Sequence, residues 1–446
     1  MARLFGTDGV RGIANTELTC GMAFKLGQAA VVFLGKTIVI GKDTRLSGDM
    51  LESALASGIM SMGGTALLAG IIPTPGIAFL TRELRCDGGV VISASHNPPA
   101  YNGIKLFNAQ GFKLVDALED EIESFVEAGG TQIQDLPSGD AVGVIVPVEN
   151  AGELYIDQVV QSVTSQGIRF DGLHIALDTA HGAASTTSEA ALVRLGAKVT
   201  VINDDFTGTD INVDCGSTNL KQLHSLMAKT GADVGIAHDG DADRVMIIGA
   251  NGKEIDGDML ETVCAIDLKE RGKLAGNLAV STVMCNLGFV HAMKNAGIEI
   301  VQTQVGDRYV LEAMVEKGAV IGGEQSGHLI LLDHNTTGDG LLVACHFLAA
   351  CKRMGKTAEE AAKIMTCVPQ VLINVKDVDK AAVATNEKVL AAISAANEEL
   401  GENGRVLIRP SGTEPLIRVM VEALDSDAAL RIAEQLAGIV KIELSL

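Results

Sequence analysis

Tryptophan is missing from this chain altogether, and tyrosine and phenylalanine number only 3 and 11 among 446 residues. So thin a supply of rings leaves little on which unpaired bases could stack. Cations are outnumbered too: 35 Lys and Arg stand against 56 Asp and Glu, a net charge of −21. That field repels nucleic acid and anionic membrane surfaces, so neither is expected as a partner. No two cysteines are spaced CxxC; the eight are scattered, several inside apolar runs such as "LLVACHFLAAC". This usage suits buried thiols in a reducing cytoplasm and speaks against a cysteine-based metal site. The opening "MARLFGTDGVRG" lacks the apolar core of a signal peptide. Ser53 to Thr81 carry no charge over 29 positions, but five Gly and two Pro interrupt them, and "IIPTPG" breaks any single helix. A buried helix, turn and strand are expected there rather than a membrane span. Neither GxxxxGK[ST] nor a strand-turn-helix GxGxxG occurs, so nucleotide binding has no support.

What the chain has in plenty is glycine, 50 residues, and a hydrophobic share of 47%. The length allows three or four domains. One pattern recurs three times: a β-branched apolar run, a polar loop, a helix, a glycine and a second apolar run. Its copies start at Thr37 ("TIVIGKDTRLSG…"), Leu173 ("LHIALDTAHGAAS…") and Asn277 ("NLAVSTVMCNLG…"). Continuous apolar strands alternating with helices predict three similar α/β domains with doubly covered mixed or parallel sheets. The final stretch, with the hairpin "RVLIRPSGTEPLIRVMVEA" between two helices, predicts a smaller C-terminal α+β domain. The boundaries expected are 1–150, 151–250, 251–366 and 367–446. Ligands of such sheets bind beyond the carboxyl ends of the strands.

Four polar clusters fall at such ends. In "GGVVISASHNPP" an apolar strand is expected to end at Ser95, with Asn97, Pro98 and Pro99 forcing a turn. Ser95 is thereby presented as a nucleophile, and it needs a group to take its proton. His96 is adjacent, but neighbours on a strand point to opposite faces; Lys105, beyond the turn, is the candidate proton carrier. In "HDGDADR" Asp239, Asp241 and Asp243 recur at alternate positions, so an extended backbone would aim three carboxylates to one side. Oxygen-only ligands suit Mg²⁺ or Ca²⁺. An EF-hand is excluded, because Arg244 and Ala250 stand where its Gly and Glu belong. In "GGEQSGH" Glu324, Ser326 and His328 alternate, an acceptor, a hydroxyl and an imidazole suited to neighbouring hydroxyls of a sugar. In "RPSGTEPLIR" Arg409, Ser411, Gly412, Thr413 and Arg418 have the makings of a phosphate cradle. Arg11, Arg45, Lys105, Arg244, Arg308, Arg409 and Arg418 all lie in or beside glycine-rich loops, the arrangement expected of an acidic protein that holds an anion. Each loop taken alone also fits an ordinary polar turn.

With "FGTDGVRG", "SASHNP", "DGDADR", "GGEQSGH" and "RPSGTEP" in this order and spacing, the sequence resembles the α-D-phosphohexomutase superfamily from end to end. The resemblance implies four domains around a central cleft, each giving one motif. It implies that Ser95 carries the phosphoryl group and that Asp239, Asp241 and Asp243 hold one Mg²⁺, completed by a phosphoserine oxygen. Lys105 as acid/base, Arg244, Arg11 and His96 would flank the transferring group. Glu324, Ser326 and His328 would meet the sugar, and the loop of Arg409 to Arg418 its non-reacting phosphate. "FGTDGVRG", the Gln of "GGEQSGH", and Asp307 with Arg308 in "VGDRYV" resemble the branch acting on glucosamine phosphates, whose product feeds UDP-N-acetylglucosamine and cell-wall precursor synthesis. The implied reaction interconverts glucosamine 6-phosphate and 1-phosphate through a hexose 1,6-bisphosphate, which also primes the serine. Members are often homodimers. Three alternatives stay open: mannose or glucose phosphates as substrate, an aspartyl-phosphate phosphatase using Asp239, and a non-catalytic sugar-phosphate binder.

Overall fold

The computed structural model describes residues 3–6, 8–131, 136–410 and 416–446. The chain separates into two compact units, one of Met1–Met284 with Gly297–Ile364, the other of Cys285–Ala296 with Met365–Leu446.

The first unit holds three mixed sheets. The first contains β1 (Val10–Ile13), β2 (Thr37–Lys42), β3 (Thr65–Ile71), β4 (Gly88–Ile92), β5 (Tyr101–Asn108) and β6 (Val144–Pro147), in the order β1-β5-β4-β2-β3-β6. The second contains β7 (His174–Asp178), β8 (Lys198–Ile202), β9 (Val234–His238), β10 (Val245–Gly249) and β11 (Glu254–Ile255), in the order β11-β10-β9-β7-β8. The third contains β12 (Leu278–Thr282), β13 (Glu299–Thr303), β14 (Ile321–Gly323) and β15 (Leu329–Leu331), in the order β13-β12-β14-β15. The three repeats seen in the sequence are the parallel pairs Thr37↔Thr65, His174↔Lys198 and Leu278↔Glu299.

Each sheet then adds something the repeat does not announce, an antiparallel hairpin next to the first strand of the pair: β4–β5, β9–β10 and β14–β15. The polar motifs of the first unit are the turns of these hairpins, so one topology presents three loops in the same way. Ile38 and Ile40 pack with Val90 and Ile92 against the helices Cys20–Phe33 and Gly48–Ser61. The helix Thr74–Glu83, started by the prolines of "IIPTPG", covers the opposite face, where a side chain at Gly41 would meet Ile77. The uncharged stretch is therefore helix, strand and helix, and no helix among the described residues is long and apolar enough to cross a membrane.

In the second unit β16 (Gln370–Lys376), β17 (Gly404–Pro410) and β18 (Leu416–Ala423) form an antiparallel sheet, ordered β16-β18-β17. Ile417, Val419 and Val421 alternate along β18 toward Ile432, Leu436 and Val440 of the helix Ser426–Glu443. This is the smaller α+β part.

One buried group lies outside these arrangements. Glu261, on the helix Gly257–Glu270, is fully buried and neither carboxylate oxygen has a hydrogen-bond partner. Burial, and then the charge of Asp258, pushes its pKa well above the ordinary value. The unfolded chain loses that proton near the normal carboxylate pKa while the folded chain keeps it, so stability falls as pH rises above that point. Glu261→Leu should therefore raise stability by about 1–3 kcal/mol at pH 8, with a smaller gain at pH 5. Paired denaturant melts at the two pH values check this, and an equal gain at both contradicts it.

Candidate active site

The strand leading to the serine stops earlier than its composition suggests. β4 ends at Ile92, and Ser95 sits beyond it with φ +50. A left-handed serine costs about 1–2 kcal/mol and turns the chain sharply. The alternation expected of a strand therefore does not apply, and His96 comes to the serine after all: its Nδ1 lies 3.2 Å from Ser95 Oγ. Burial, then the charges of Arg244 and Arg11, bring the His96 pKa down to about 4, so the ring is neutral at pH 7.

The three aspartates are also gathered by a turn rather than by an extended backbone, since β9 ends at His238 and Ala242 has φ +54. Their oxygens lie within 4.8 Å of one another. Ser95 Oγ donates to Asp239 Oδ2 at 2.6 Å, and the Arg244 N–H donates to Asp239 Oδ1 at 3.2 Å. Asp241 Oδ2 accepts from Thr74 Oγ1 at 2.6 Å and Lys105 Nζ at 2.9 Å. Burial, then Asp243 and Asp241, push the Asp239 pKa well up. Asp243 goes the other way: burial alone would raise it, but Lys105, His328 and Arg244 hold it low. Asp241 Oδ1 and Asp243 Oδ1 are buried without hydrogen-bond partners. Hard oxygen donors, mutual repulsion and two orphaned oxygens fit a small divalent cation such as Mg²⁺.

Lys105 does fold back to the loop, because β5 pairs antiparallel with β4 and sets it opposite Val91. Its ammonium is buried 2.9 Å from Asp241, 3.2 Å from Asp8 and 3.7 Å from Asp243. Burial alone would lower its pKa; Asp241, Asp8 and Asp243 outweigh that and raise it. Arg11, on β1, pairs with Asp8. Arg244 lies 3.9 Å from Asp243, and burial, which would lower its pKa, is outweighed by Asp243, Asp239, Glu324 and Asp8.

The sugar-loop residues separate. Glu324 accepts from the Gly306 N–H at 3.2 Å, and Ser326 is exposed. His328 instead turns inward, because the segment is a tight turn with Gly327 at φ +89. Its Nε2 lies 3.2 Å from the Gly338 N and its Nδ1 3.6 Å from Asp243. Asp307 pairs with Lys113, which also reaches Asp8 at 2.6 Å. Arg308 is buried and binds Asp116 and, at 2.7 Å, Glu119 on the helix Asp116–Glu127. Arg45, grouped in the sequence with the anion-holding arginines, spends all its donors on Asp43 and on backbone carbonyls. In the second unit Arg409 and Arg418 are directly opposite across β17 and β18. Burial, then the charge of Arg418, lowers the Arg409 pKa. Ser411, Gly412 and Thr413 lie outside the described residues.

Sequence reasoning missed Asp8, Thr74 and Lys113. Asp8 stood inside a quoted motif; Thr74 and Lys113 carry no local signal, and only the fold brings them to the aspartates and to Asp8.

Comparison with known proteins agrees with this geometry. Four consecutive segments match domains described as phosphoglucomutase/phosphomannomutase: alpha/beta/alpha domain I at residues 2–132, domain II at 153–252, domain III at 256–368, and the C-terminal domain at 372–439. Phosphoglucosamine mutase of Ruminiclostridium cellulolyticum is 49% identical over 455 residues and that of Thermobifida fusca 50% over 457, each alignment covering 100% of both chains. Among solved structures, a phosphoglucomutase/phosphomannomutase family protein of Burkholderia thailandensis has a TM-score of 0.83 at 22% identity, over 99% of this chain and 97% of that one. N-acetylphosphoglucosamine mutase of Aspergillus fumigatus, in complex with GlcNAc-6P and magnesium, has a TM-score of 0.71 at 16% identity, over 99% and 96%. A serine held against three buried aspartates on the hairpin turns of repeated α/β sheets, with all four domain matches in order, means that this chain belongs to the phosphoglucomutase/phosphomannomutase family.

Proposed function

We propose that this chain interconverts glucosamine 6-phosphate and glucosamine 1-phosphate, with Ser95 as the phosphoryl carrier. The observation that supports it most is the 2.6 Å contact of Ser95 Oγ with Asp239 inside a buried three-carboxylate cluster. The near-50% identity to two phosphoglucosamine mutases over their whole length supports the choice of sugar.

Asp239, Asp241 and Asp243 would hold Mg²⁺, which supplies positive charge to phosphoryl oxygens when bound there. Phosphorylated Ser95 gives its phosphoryl group to a free hydroxyl of the sugar phosphate: the Oγ–P bond breaks, a sugar O–P bond forms, and the bisphosphate turns to return its other phosphoryl group. Such transfer depends mainly on positioning and charge. Lys105, an ammonium among Asp8, Asp241 and Asp243, would carry the proton between the serine oxygen and the sugar hydroxyl. Arg11 and Arg244 would balance charge on the moving group, Glu324 and Ser326 would contact sugar hydroxyls, and the loop of Arg409 to Arg418 would hold the resting phosphate. A hexose 1,6-bisphosphate would prime the serine. The boundaries near 150, 250 and 366 belong to this reading as well. So does the cytoplasm, which suits eight cysteines without a disulfide.

Purified protein with Mg²⁺ should turn over glucosamine 6-phosphate with a kcat/KM at least about tenfold above those for the mannose and glucose analogues. Chelation should abolish turnover and Mg²⁺ restore it, and Ser95→Ala should lose more than about 10³-fold. Undiminished turnover by Ser95→Ala would end the proposal; a preference for mannose or glucose phosphate would change only the sugar.

A homodimer is part of the same reading. β6 closes one side of its sheet as an edge strand, and Val144, Ile145 and Val146 on it are each more than 40% exposed. An apolar unpaired edge favours strand pairing with a second copy. Light scattering should give twice the chain mass, falling to one chain in Ile145→Lys; a single-chain mass for the unmodified protein contradicts it.

A further inference from the structure

We propose that the buried Asp43–Arg45 pair is a positioning device that fixes the backbone of Ser95, and that Arg45 takes no part in binding the anionic substrate. This role rests on the reading of Ser95 as phosphoryl carrier.

A guanidinium has five N–H donors, and in Arg45 every one is used within the protein. Nε donates to Asp43 Oδ2 at 2.9 Å. Nη1 donates to the carbonyls of Pro98 at 2.6 Å and Tyr101 at 2.9 Å, and Nη2 to those of Ser95 at 2.9 Å and Asn97 at 2.8 Å. No donor is left for a phosphate. Both side chains are fully buried, so the cation is neutralised by its partner and adds little to the attraction of a distant anion.

The pair reaches Ser95 from the other end of its peptide too. Asp43 Oδ2 accepts from Ser93 Oγ at 2.6 Å, and Ser93 Oγ accepts from the Ser95 N–H at 2.9 Å. One ion pair thus secures the N–H of Ser95 through Ser93 and its C=O through Arg45. Asn212 Nδ2 adds a second donor to that C=O at 2.8 Å, and a side chain at Gly240 would press on the same oxygen at 2.7 Å. Left-handed backbone persists at a non-glycine residue only when its surroundings over-determine it. Here they do, and the outcome is an Oγ aimed at Asp239. The device comes from the loop after β2, the parallel neighbour of β4, which the sheet sets beside the serine loop.

The test uses Arg45→Lys, which keeps the charge but has three donors for five acceptors, and Ser93→Ala, which cuts the other arm without leaving a buried charge unpaired. Assayed on glucosamine 6-phosphate below their melting temperatures, both should lose about 10- to 100-fold in kcat, with KM within about twofold of the unmodified protein. The double variant should lose less than the product of the two single losses, because both act through one peptide. If Arg45→Lys does not fold, Ser93→Ala decides the matter. A raised KM with kcat retained would make Arg45 a substrate ligand, and unchanged kcat in the folded variants would remove the positioning role; either overturns the proposal. Intact mass after exposure to a hexose 1,6-bisphosphate separates the two levels. An unmodified protein that takes no phosphate on Ser95 sinks the carrier reading and this role with it, whereas phosphate on Ser95 with unaffected variants sinks this role alone.

Discussion

Asp239, Asp241 and Asp243 are buried with their oxygens within 4.8 Å of one another, and much of the first unit is organised around that crowding. Two like charges at such a separation repel by at least about 3 kcal/mol even at an effective dielectric near 20. The protein meets this in two ways: Lys105 is set among Asp241, Asp243 and Asp8, and two carboxylate oxygens are left without hydrogen-bond partners where a cation fits. Ser95 Oγ is tied to the same cluster, so the proposed phosphoryl carrier and the excess negative charge share one place. On the proposed reading, a cation held there would neutralise an arriving phosphoryl group, although the chain as a whole carries −21.

The three sheets explain why the parts coincide. Each pairs a parallel βαβ unit with an antiparallel hairpin, and each hairpin turn carries a polar motif. Repetition gives the loops a common presentation, and on the proposed reading their residues would serve as phosphoryl carrier, cation ligands and sugar contact. Around this centre is a belt of ion pairs: Lys113 joins Asp8 to Asp307, and Arg308 joins the start of its helix to Asp116 and Glu119. Binding residues gain precision when their neighbours are fixed in this way.

The parallel pairs were legible because β-branched runs flank amphipathic helices at a regular interval. The hairpins were less so, although "GIKLF", "VMIIG" and "LIL" follow their motifs too closely for a crossover helix, a signal that was present. Serine and acid triad could be named from the chain because their residue types and their places after apolar strands restrict the chemistry, and the lysine because it follows the serine's turn closely. Backbone detail could not. Nothing in "SAS" or "DADR" declares a left-handed residue, so strand alternation alone gave no reason to set His96 against the serine and drew the triad in an extended line. The partners of arginines were hidden for another reason: a guanidinium in a glycine-rich loop fits an anion and a set of carbonyls equally well, and only the fold shows that Arg45 took carbonyls and Arg308 took carboxylates.

The central claim is that one phosphoryl group passes between Ser95 and a hexose. It is tested most directly by labelling the protein at Ser95 with radioactive phosphate, adding unlabelled glucosamine 6-phosphate and quenching within one turnover. The account predicts that label leaves the protein and appears in the sugar bisphosphate before it appears in any monophosphate. Label that stays on the protein through turnover, or leaves only as inorganic phosphate, would contradict it.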